Sequence, residues 1–284
     1  MVILDKNKCI GCGQCAIICH HKCIRLRDID GDEYPVIDPN YCSTCTQCIA
    51  VCLQKALSWN GRNPVAFDDS NLPTADNLEE LLKQRRTIRK FRKTKIDREQ
   101  LEEIICFGVY APTNNFHLRV LLIDSVKVFN AIDKWVMEDI SRIYHLIYRP
   151  KPIFNLLKMF FPTVNIVMKE KLKRGLEFGT SFDTLPAAVV LIVGDKRIML
   201  SEASAQFAAY NMILMGQTRG WGSRMIGAAP TTMNKNQKIR KLLKLSPHEQ
   251  ILSGFELGIP AMSFNNKVEG KKFDINYIEE VYAE

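Results

Sequence analysis

Eight cysteines within the first 52 residues carry the densest chemistry in this sequence. Cys9, Cys12, Cys15 and Cys19 are spaced C-x2-C-x2-C-x3-C, and Cys42, Cys45, Cys48 and Cys52 repeat that spacing 33 residues later. The register continues past the thiols: Gln14 falls on Gln47, Lys22 on Lys55 and Ile24 on Leu57. Self-similarity at a fixed period marks a duplicated supersecondary unit, here a metal-binding loop. Thiolates suit soft, thiophilic iron, and this run is the one that ligates 4Fe–4S clusters. Disulfides are disfavoured, because nothing resembles a secretory leader ahead of the first ligand. Zinc takes four ligands per ion, usually as two separated pairs. The spacing therefore predicts two 4Fe–4S clusters.

Over about residues 1–58 the chain resembles the two-cluster bacterial ferredoxins. That resemblance implies crossed ligation, the fourth cysteine of each run serving the other cluster. One cluster would take Cys9, Cys12, Cys15 and Cys52; the other would take Cys42, Cys45, Cys48 and Cys19. The proline that usually follows the fourth cysteine is replaced by His20 and Leu53, which bears on turn rigidity and leaves ligation intact. With both clusters closed by cysteine, His20 and His21 are read as exposed side chains rather than ligands. Cys23 falls where the second run has Ala56 and is read as a small buried residue.

A second constellation lies further on. Arg85, Arg86 and Arg89 with the hydroxyl of Thr87 offer bidentate and point donors to a phosphate. Asn115 offers an amide that both donates and accepts, suited to the edge of a uracil-like ring. The stretch Gly220 to Gly227 offers backbone N–H groups, with Gly222 and Gly227 leaving room for close approach. A phosphate clamp, a pyrimidine reader and a backbone donor are what a phosphorylated flavin needs. FMN is preferred over FAD because no dinucleotide GxGxxG follows a strand.

In this order the set resembles the FMN-dependent nitroreductase family over about residues 78–284. The matching pieces are Arg85-Arg86-Thr87-Ile88-Arg89 with Phe91, the turn Ala111-Pro112-Thr113 with Asn115, Gly220 to Gly227, and Leu257-Gly258-Ile259-Pro260-Ala261. The resemblance implies that Arg85, Thr87 and Arg89 hold the phosphate, ribityl and pyrimidine side of FMN, with Arg86 beside them. Asn115 would contact the ring edge, Ile226 and Gly227 would present backbone to the N5 region, and Lys271 and Lys272 would complete the phosphate clamp. The turn departs from the family after Asn115, continuing Phe116-His117-Leu118, which leaves Asn114 and His117 as other candidates for the ring contact. The family also implies a homodimer with FMN at the subunit interface and no obligatory side-chain acid or base, since the transfer chemistry is the flavin's.

The elements that must position these groups can be sketched from patterning. The 284 residues, 46% hydrophobic, suffice for more than one domain. The sequence suggests a ferredoxin-like domain over 1–60, a linker over 61–77 and a flavin domain over 78–284. Asp30-Gly31 predicts a hairpin over Ile29 to Asp38. Asp76 with Glu79 predicts a capped helix with Leu78, Leu81 and Leu82 inward. Asp97 predicts the next helix, with Leu101, Ile104, Ile105 and Val109 inward and Cys106 packed as a small hydrophobe. Leu118 to Ile123 and residues 187–193 read as buried strands, the second stopped by Gly194-Asp195. Ser201 to Arg219 reads as a central helix ended by Gly220. A basic helix over about 234–244 and a strand over about 250–257 follow. The fold class is α+β, with residues 126–180 a variable lid or substrate region.

Charge and hydropathy exclude several functions. Residues 1–60 are balanced, so all of the +8 lies in 61–284. No basic run interleaved with aromatics suggests nucleic acid, and no 18-residue apolar run suggests a transmembrane helix. Ile153, Phe154, Leu156, Leu157, Met159, Phe160 and Phe161, flanked by lysines, form an apolar stretch. Its nearly continuous apolar positions and Pro152 and Pro162 disfavour a membrane-surface helix. The reading is a cytoplasmic iron–sulfur flavoprotein oxidoreductase. It would pass electrons from two clusters to FMN and reduce a small organic acceptor: a nitroaromatic, a quinone or an activated alkene. Its donor would be a protein carrier such as ferredoxin, met by a basic surface. The rival is an electron-relay or docking subunit with no substrate of its own.

Overall fold

The computed structural model describes residues 1–29, 31–112, 117–180, 184–227, 229–268 and 273–277. The first 59 residues build two copies of one unit. In the first, β1 (Val2–Leu4) leads through α1 (Gln14–Ile17) to β2 (Ile24–Ile29). In the second, β3 (Asp32–Ile37) leads through α2 (Gln47–Ala50) to β4 (Leu57–Trp59). The strands exchange between copies. β1 pairs antiparallel with β4 and β2 with β3, so Leu4 faces Leu57 as Ile37 faces Ile24. Hydrogen bonds obey the same shift: Asp5 N–H donates to the Ala56 carbonyl and Asp38 N–H to that of Cys23, both at 2.8 Å. The hairpin anticipated over 29–38 begins earlier, at Ile24. Its turn glycine, Gly31, takes φ +92°, a conformation open to glycine at no steric cost.

Beyond a 3₁₀ turn at Asp69–Asn71, α3 (Ala75–Gln84) starts one residue before the expected Asp76. Its N-cap is Thr74, whose hydroxyl accepts from the Asn77 N–H at 3.2 Å. Glu79 therefore closes no capping box and instead pairs with Lys83 one turn on. Leu78 and Leu82 stay exposed, so the inward face expected there is uncovered within one chain. Helix α4 (Arg98–Cys106) begins after Asp97 as patterned, with Leu101 and Ile104 fully buried. Two expectations at its end fail. Cys106 is exposed, and Val109, in the 3₁₀ turn Phe107–Tyr110, is half exposed. Cys106 closes α4 two residues past the buried Ile104, which puts it on the opposite face, and the tighter turn takes Val109 off the apolar stripe.

The larger domain is organised on a four-stranded antiparallel sheet of order β5-β6-β8-β7, formed by β5 (Arg119–Ile123), β6 (Ala188–Asp195), β7 (Gly222–Met225) and β8 (Glu249–Gly258). Strand β6 is buried on both faces, which is why it reads as an unbroken apolar run. Ala188, Val190 and Ile192 pack with Leu101, Ile104 and the small residues of α8 (Ser201–Thr218). Val189, Leu191 and Val193 pack oppositely on Phe129 and Ile132 of α5 (Val126–Ile143) and on Ile239 of α10 (Gln237–Leu242). Two helical layers thus sandwich the sheet. Gly194-Asp195 does not stop β6; both residues pair with β8, and Asp195 then accepts from Arg197. Helix α8 ends as expected, with Gly220 at φ +76°. The stretch read as a glycine loop over 220–227 contains β7, and the basic helix over 234–244 shortens to α10, preceded by α9 (Ala229–Met233).

Residues 126–180 are helical: α5, a π turn (Tyr144–Tyr148), α6 (Lys151–Phe160) and α7 (Ile166–Phe178). Phe154 of α6 is buried, while Leu156, Met159 and Phe160 are exposed. Among the described residues, no helix is long and apolar enough to cross a membrane.

One ion pair ties the edge of this sheet to the end of β8. Arg119 donates Nε to Glu249 Oε1 at 2.5 Å and Nη2 to Oε2 at 3.0 Å. That bond holds the Glu249 carboxyl down to about 2, from an ordinary 4.5. A depressed carboxylate stabilises the fold above its unfolded value, and the contribution fades as pH falls from about 4.5 toward 2. Glu249→Gln should therefore cost roughly 1 kcal/mol at neutral pH, discounted for the partly exposed arginine. It should also flatten the acid limb of stability in that window. Urea melts of both proteins at pH 7 and pH 3 check this; equal losses at both pH values would contradict it.

Candidate active site and thiol hollows

The eight thiols of the duplicated unit gather in two sets of four, and neither set is one cysteine run. Cys9, Cys12, Cys15 and Cys52 line one hollow, with Leu4, Leu26 and Ala56. Cys19, Cys42, Cys45 and Cys48 line the other, with Val2, Ile24 and Cys23. Strand exchange produces this partition. Cys52 leads into β4, which pairs with the β1 that leads to Cys9; Cys19 leads into β2, which pairs with the β3 that leads to Cys42.

The backbone between the thiols repeats as well. Gly11 and Thr44 take φ +68° and +58°, Gly13 and Thr46 take +73° and +59°, and Lys22 and Lys55 take +50° and +52°. Left-handed residues alternating with right-handed ones turn successive N–H groups to one side, a concavity suited to an anion. An iron–sulfur cluster with four thiolates is such an anionic group. Among the described residues, no three His, Cys, Asp or Glu side chains converge on a point that would hold a single ion. The thiols instead surround space, as a multi-iron cluster requires and a lone zinc does not. Burial raises the Cys15 thiol, and burial with the neighbouring Cys45 and Cys42 pushes Cys48 up to about 11. A bare thiolate is thus disfavoured at Cys15 and Cys48, one in each hollow, where bound metal would have to meet the charge. His20 and His21 are exposed, their rings edge to face. Cys23 is buried, as its alignment with Ala56 suggests, and its Sγ lies 3.4 Å from that of Cys19.

In the larger domain, the chain leaving α3 runs extended beside β7. Thr87 bridges Ser223, and Ile88 N–H donates to the Ser223 carbonyl at 2.9 Å. Extended backbone alternates its side chains. Thr87 and Arg89 accordingly line a cavity of about 480 Å³, while Ile88 is buried against Gly222. Arg224, Ile226, Gly227 and Glu256 complete its polar rim. Ile123, Val189 and α5 residues Phe129, Ile132, Val136 and Ile140 form its apolar wall. Of the stretch 126–180, then, α5 is the part that reaches this cavity.

The arginine cluster is divided. Arg85 and Arg86 border a separate groove with Gln84, Arg92, Gln217 and Trp221. Arg86 donates to the carbonyls of Lys83 (2.6 Å), Arg85 (2.9 Å) and Asn266 (3.4 Å), which satisfies the C-terminal end of α3. Among the described residues, neither Arg85 nor Arg89 pairs with a carboxylate. The two backbone candidates also differ. Ile226 N–H is committed to the Gly254 carbonyl at 2.8 Å, whereas Gly227 N–H has no acceptor among the described residues. Asn114, Asn115, Lys271 and Lys272 lie outside the described residues; His117 is exposed.

Two residues of the cavity carried no weight in the sequence reading. Arg224 on β7 faces Glu256 on β8 in direct register, and Arg224 Nη2 pairs with Glu256 Oε1. Glu256 is 1% exposed. The available signal was a lone carboxylate within the apolar run Ile251 to Leu257, since a fully buried acid requires a partner.

Gly222 is a tight point of this scaffold. A Cβ there would meet Ile88 Cγ1, Ile88 Cβ at 2.8 Å and Pro260 Cγ at 2.9 Å. Gly222→Ala should force the Thr87–Arg89 segment off β7, costing about 1–3 kcal/mol and weakening retention of any ligand that the segment holds. Thermal melts and bound-cofactor content after gel filtration check this; an unchanged melt and content would contradict it.

The model of the nitroreductase family matches residues 82–259, and that of the 4Fe-4S dicluster domain matches residues 8–56. A comparison with curated proteins finds no match. Among solved structures, a nitroreductase with bound FMN from Desulfitobacterium hafniense DCB-2 is 14% identical, with TM-score 0.51, covering 71% of this chain and 97% of its own. One with bound FMN from Bacteroides fragilis NCTC 9343 is 17% identical, with TM-score 0.49 and coverages of 71% and 98%. Iodotyrosine deiodinase, bound to FMN and 3-iodo-L-tyrosine, is 20% identical, with TM-score 0.49 and coverages of 71% and 99%. The first of these shares the α+β fold of the larger domain. With its family model spanning well over half of the sequence, the chain belongs to the nitroreductase family, and it carries a 4Fe-4S dicluster domain ahead of that fold.

Proposed function

We propose that this chain is an FMN-dependent oxidoreductase that receives electrons at two 4Fe–4S clusters and reduces a small organic acceptor, such as a nitroaromatic, a quinone or an activated alkene. What supports the reading is one juxtaposition: a largely apolar cavity rimmed by Arg89, Thr87 and Gly227, in a chain that also builds two four-thiol hollows. The donor set suits FMN. Bound there, FMN supplies the ability to take one electron or two and to hand on a pair. The remaining work falls to the protein. Arg89, which pairs with no carboxylate among the described residues, brings positive charge to a phosphate or to the pyrimidine edge, and the resemblance adds Arg85, which borders the neighbouring groove. Thr87 offers a hydroxyl, Gly227 an unblocked N–H, and α5 a wall that excludes water. Asn115, Lys271 and Lys272 complete the candidate set from sequence resemblance. Cys9, Cys12, Cys15 and Cys52 would hold one cluster and Cys19, Cys42, Cys45 and Cys48 the other.

A homodimer belongs to this proposal, with FMN at its interface. Leu78 and Leu82 of α3, Val109 and Tyr110 of the 3₁₀ turn that follows α4, and Phe207 and Tyr210 of α8 are exposed, giving a second copy apolar surface to cover. A reducing, cytoplasmic setting and a ferredoxin-like donor complete it. Against a relay subunit with no substrate stands the cavity itself, whose volume lies within the usual range for small-molecule sites.

Anaerobic titration of the purified chain, following flavin and cluster absorbance separately, tests the whole reading, with the released cofactor identified by mass. The expected result is FMN that becomes reduced when the clusters are, and is reoxidised by small acceptors alone. Absence of flavin, or acceptor turnover only with a protein partner, would overturn it.

A further inference from the structure

The two hollows are built on the same backbone but differ by one sulfur. Ala56, 2% exposed, lines the first hollow, and Cys23, 7% exposed, occupies the equivalent place in the second. In the first hollow, Cys52 Sγ accepts from the Ala56 backbone N–H at 3.3 Å. In the second, Cys19 Sγ has the Cys23 Sγ at 3.4 Å, within hydrogen-bonding range for sulfur. Strand pairing, left-handed turns and the burial of Cys15 and Cys48 are otherwise alike. The extra thiol is therefore an addition to a duplicated frame rather than a by-product of different packing.

We propose that Cys23 is a positioning and tuning residue: its S–H donates to the Cys19 sulfur and raises the reduction potential of the cluster in the second hollow above that of the first. The inference rests on the proposed occupancy of both hollows by 4Fe–4S clusters. Its physics is general. Reduction adds negative charge to a cluster, that charge spreads onto the ligand sulfurs, and a donor aimed at a ligand sulfur stabilises the reduced form more than the oxidised one. Cys52 lacks a side-chain donor at the matching place, because an alanine methyl group donates nothing. The consequence is direction. An added electron settles on the cluster held by Cys19, Cys42, Cys45 and Cys48, and the other cluster is the one that gives it up.

Redox titration of the reconstituted full chain, monitored by electron paramagnetic resonance, tests this directly, with iron and sulfide measured on every sample. The unmodified protein should titrate in two steps. Cys23→Ala should shift the higher step downward and leave the lower one in place, narrowing the gap. Cys23→Ser, which keeps a donor, should restore part of the separation. In the reverse experiment, Ala56→Cys should raise the lower step. Full iron and sulfide with both potentials unmoved in Cys23→Ala and Ala56→Cys would overturn the inference while leaving the cluster reading intact. Loss of one cluster from Cys23→Ala would also overturn it, by making Cys23 a ligand or a structural element. Absence of iron and sulfide from the unmodified chain would remove both readings.

Discussion

Arg224→Ala should destabilise the larger domain by about 3 kcal/mol or more, because it leaves the Glu256 carboxylate buried without its guanidinium. The two side chains are 18% and 1% exposed, and they face each other in register across β7 and β8. Little solvent screens the carboxylate once its partner is gone. At roughly 2–4 °C per kcal/mol for a domain of this size, the melting temperature should fall by about 10 °C. The pair lines the same cavity as Thr87 and Arg89, so bound flavin should be lost with it. Replacing both partners, as Arg224→Met with Glu256→Leu, removes the stranded charge and should recover much of the stability while leaving flavin retention impaired. Differential scanning calorimetry and cofactor content, measured on the two variants together, separate the effects. If Arg224→Ala melts within 2–3 °C of the unmodified protein, the pair does not bear on stability in this way.

The second large effect concerns which cysteines act together. The hollows group Cys52 with Cys9 and Cys19 with Cys42. In the double variant Cys9→Ser with Cys52→Ser, both changes then fall on one hollow. Iron should drop from about eight atoms per chain to about four, with one cluster signal remaining. In Cys9→Ser with Cys42→Ser, one change falls on each hollow, and both signals should be lost or converted. Ligation confined to each run predicts something different for the first variant, since Cys9 and Cys52 would then belong to separate clusters and both would suffer. Iron analysis and electron paramagnetic resonance of the two double variants thus distinguish crossed from local ligation.

The contrast between what the sequence discloses and what it hides has a physical origin. Cluster ligands are legible because their spacing is local: six of the seven gaps between successive ligands span two or three residues. Buried strand β6 and helix α8 are legible for a similar reason, their burial being written into continuous runs of apolar or small residues. The Arg224–Glu256 pair is different. It joins residues 32 apart, through a register that only the folded sheet sets, and β7 carries too few residues to announce itself as a strand. The division of the Arg85–Arg89 cluster between two faces follows from extended backbone beside β7, where a loop or helix would have kept the arginines together. Thr74 stands in place of Asp76 as the cap because either side chain can do that work, and Asp76 falls instead in the first turn of α3. Val109 turns outward because a 3₁₀ turn ends the helical period before it, whereas Cys106 is still helical and exposed because it lies two residues past Ile104, on the opposite face of α4.

The exchanged strands of the duplicated unit reach back beyond the present chain. Taken alone, one repeat leaves its first and last strands without partners and each hollow short of a thiol, since the fourth comes from the other copy. Two identical copies of such a repeat, related by a two-fold axis, would supply each other with both. A self-complementary pair of short chains is therefore the smallest ancestor that this geometry permits. Joining them end to end turned an encounter that depended on concentration into one built into a single polypeptide. It also freed the halves to diverge, and a cysteine facing an alanine across the pseudo-symmetry is the kind of difference that only the joined chain could acquire.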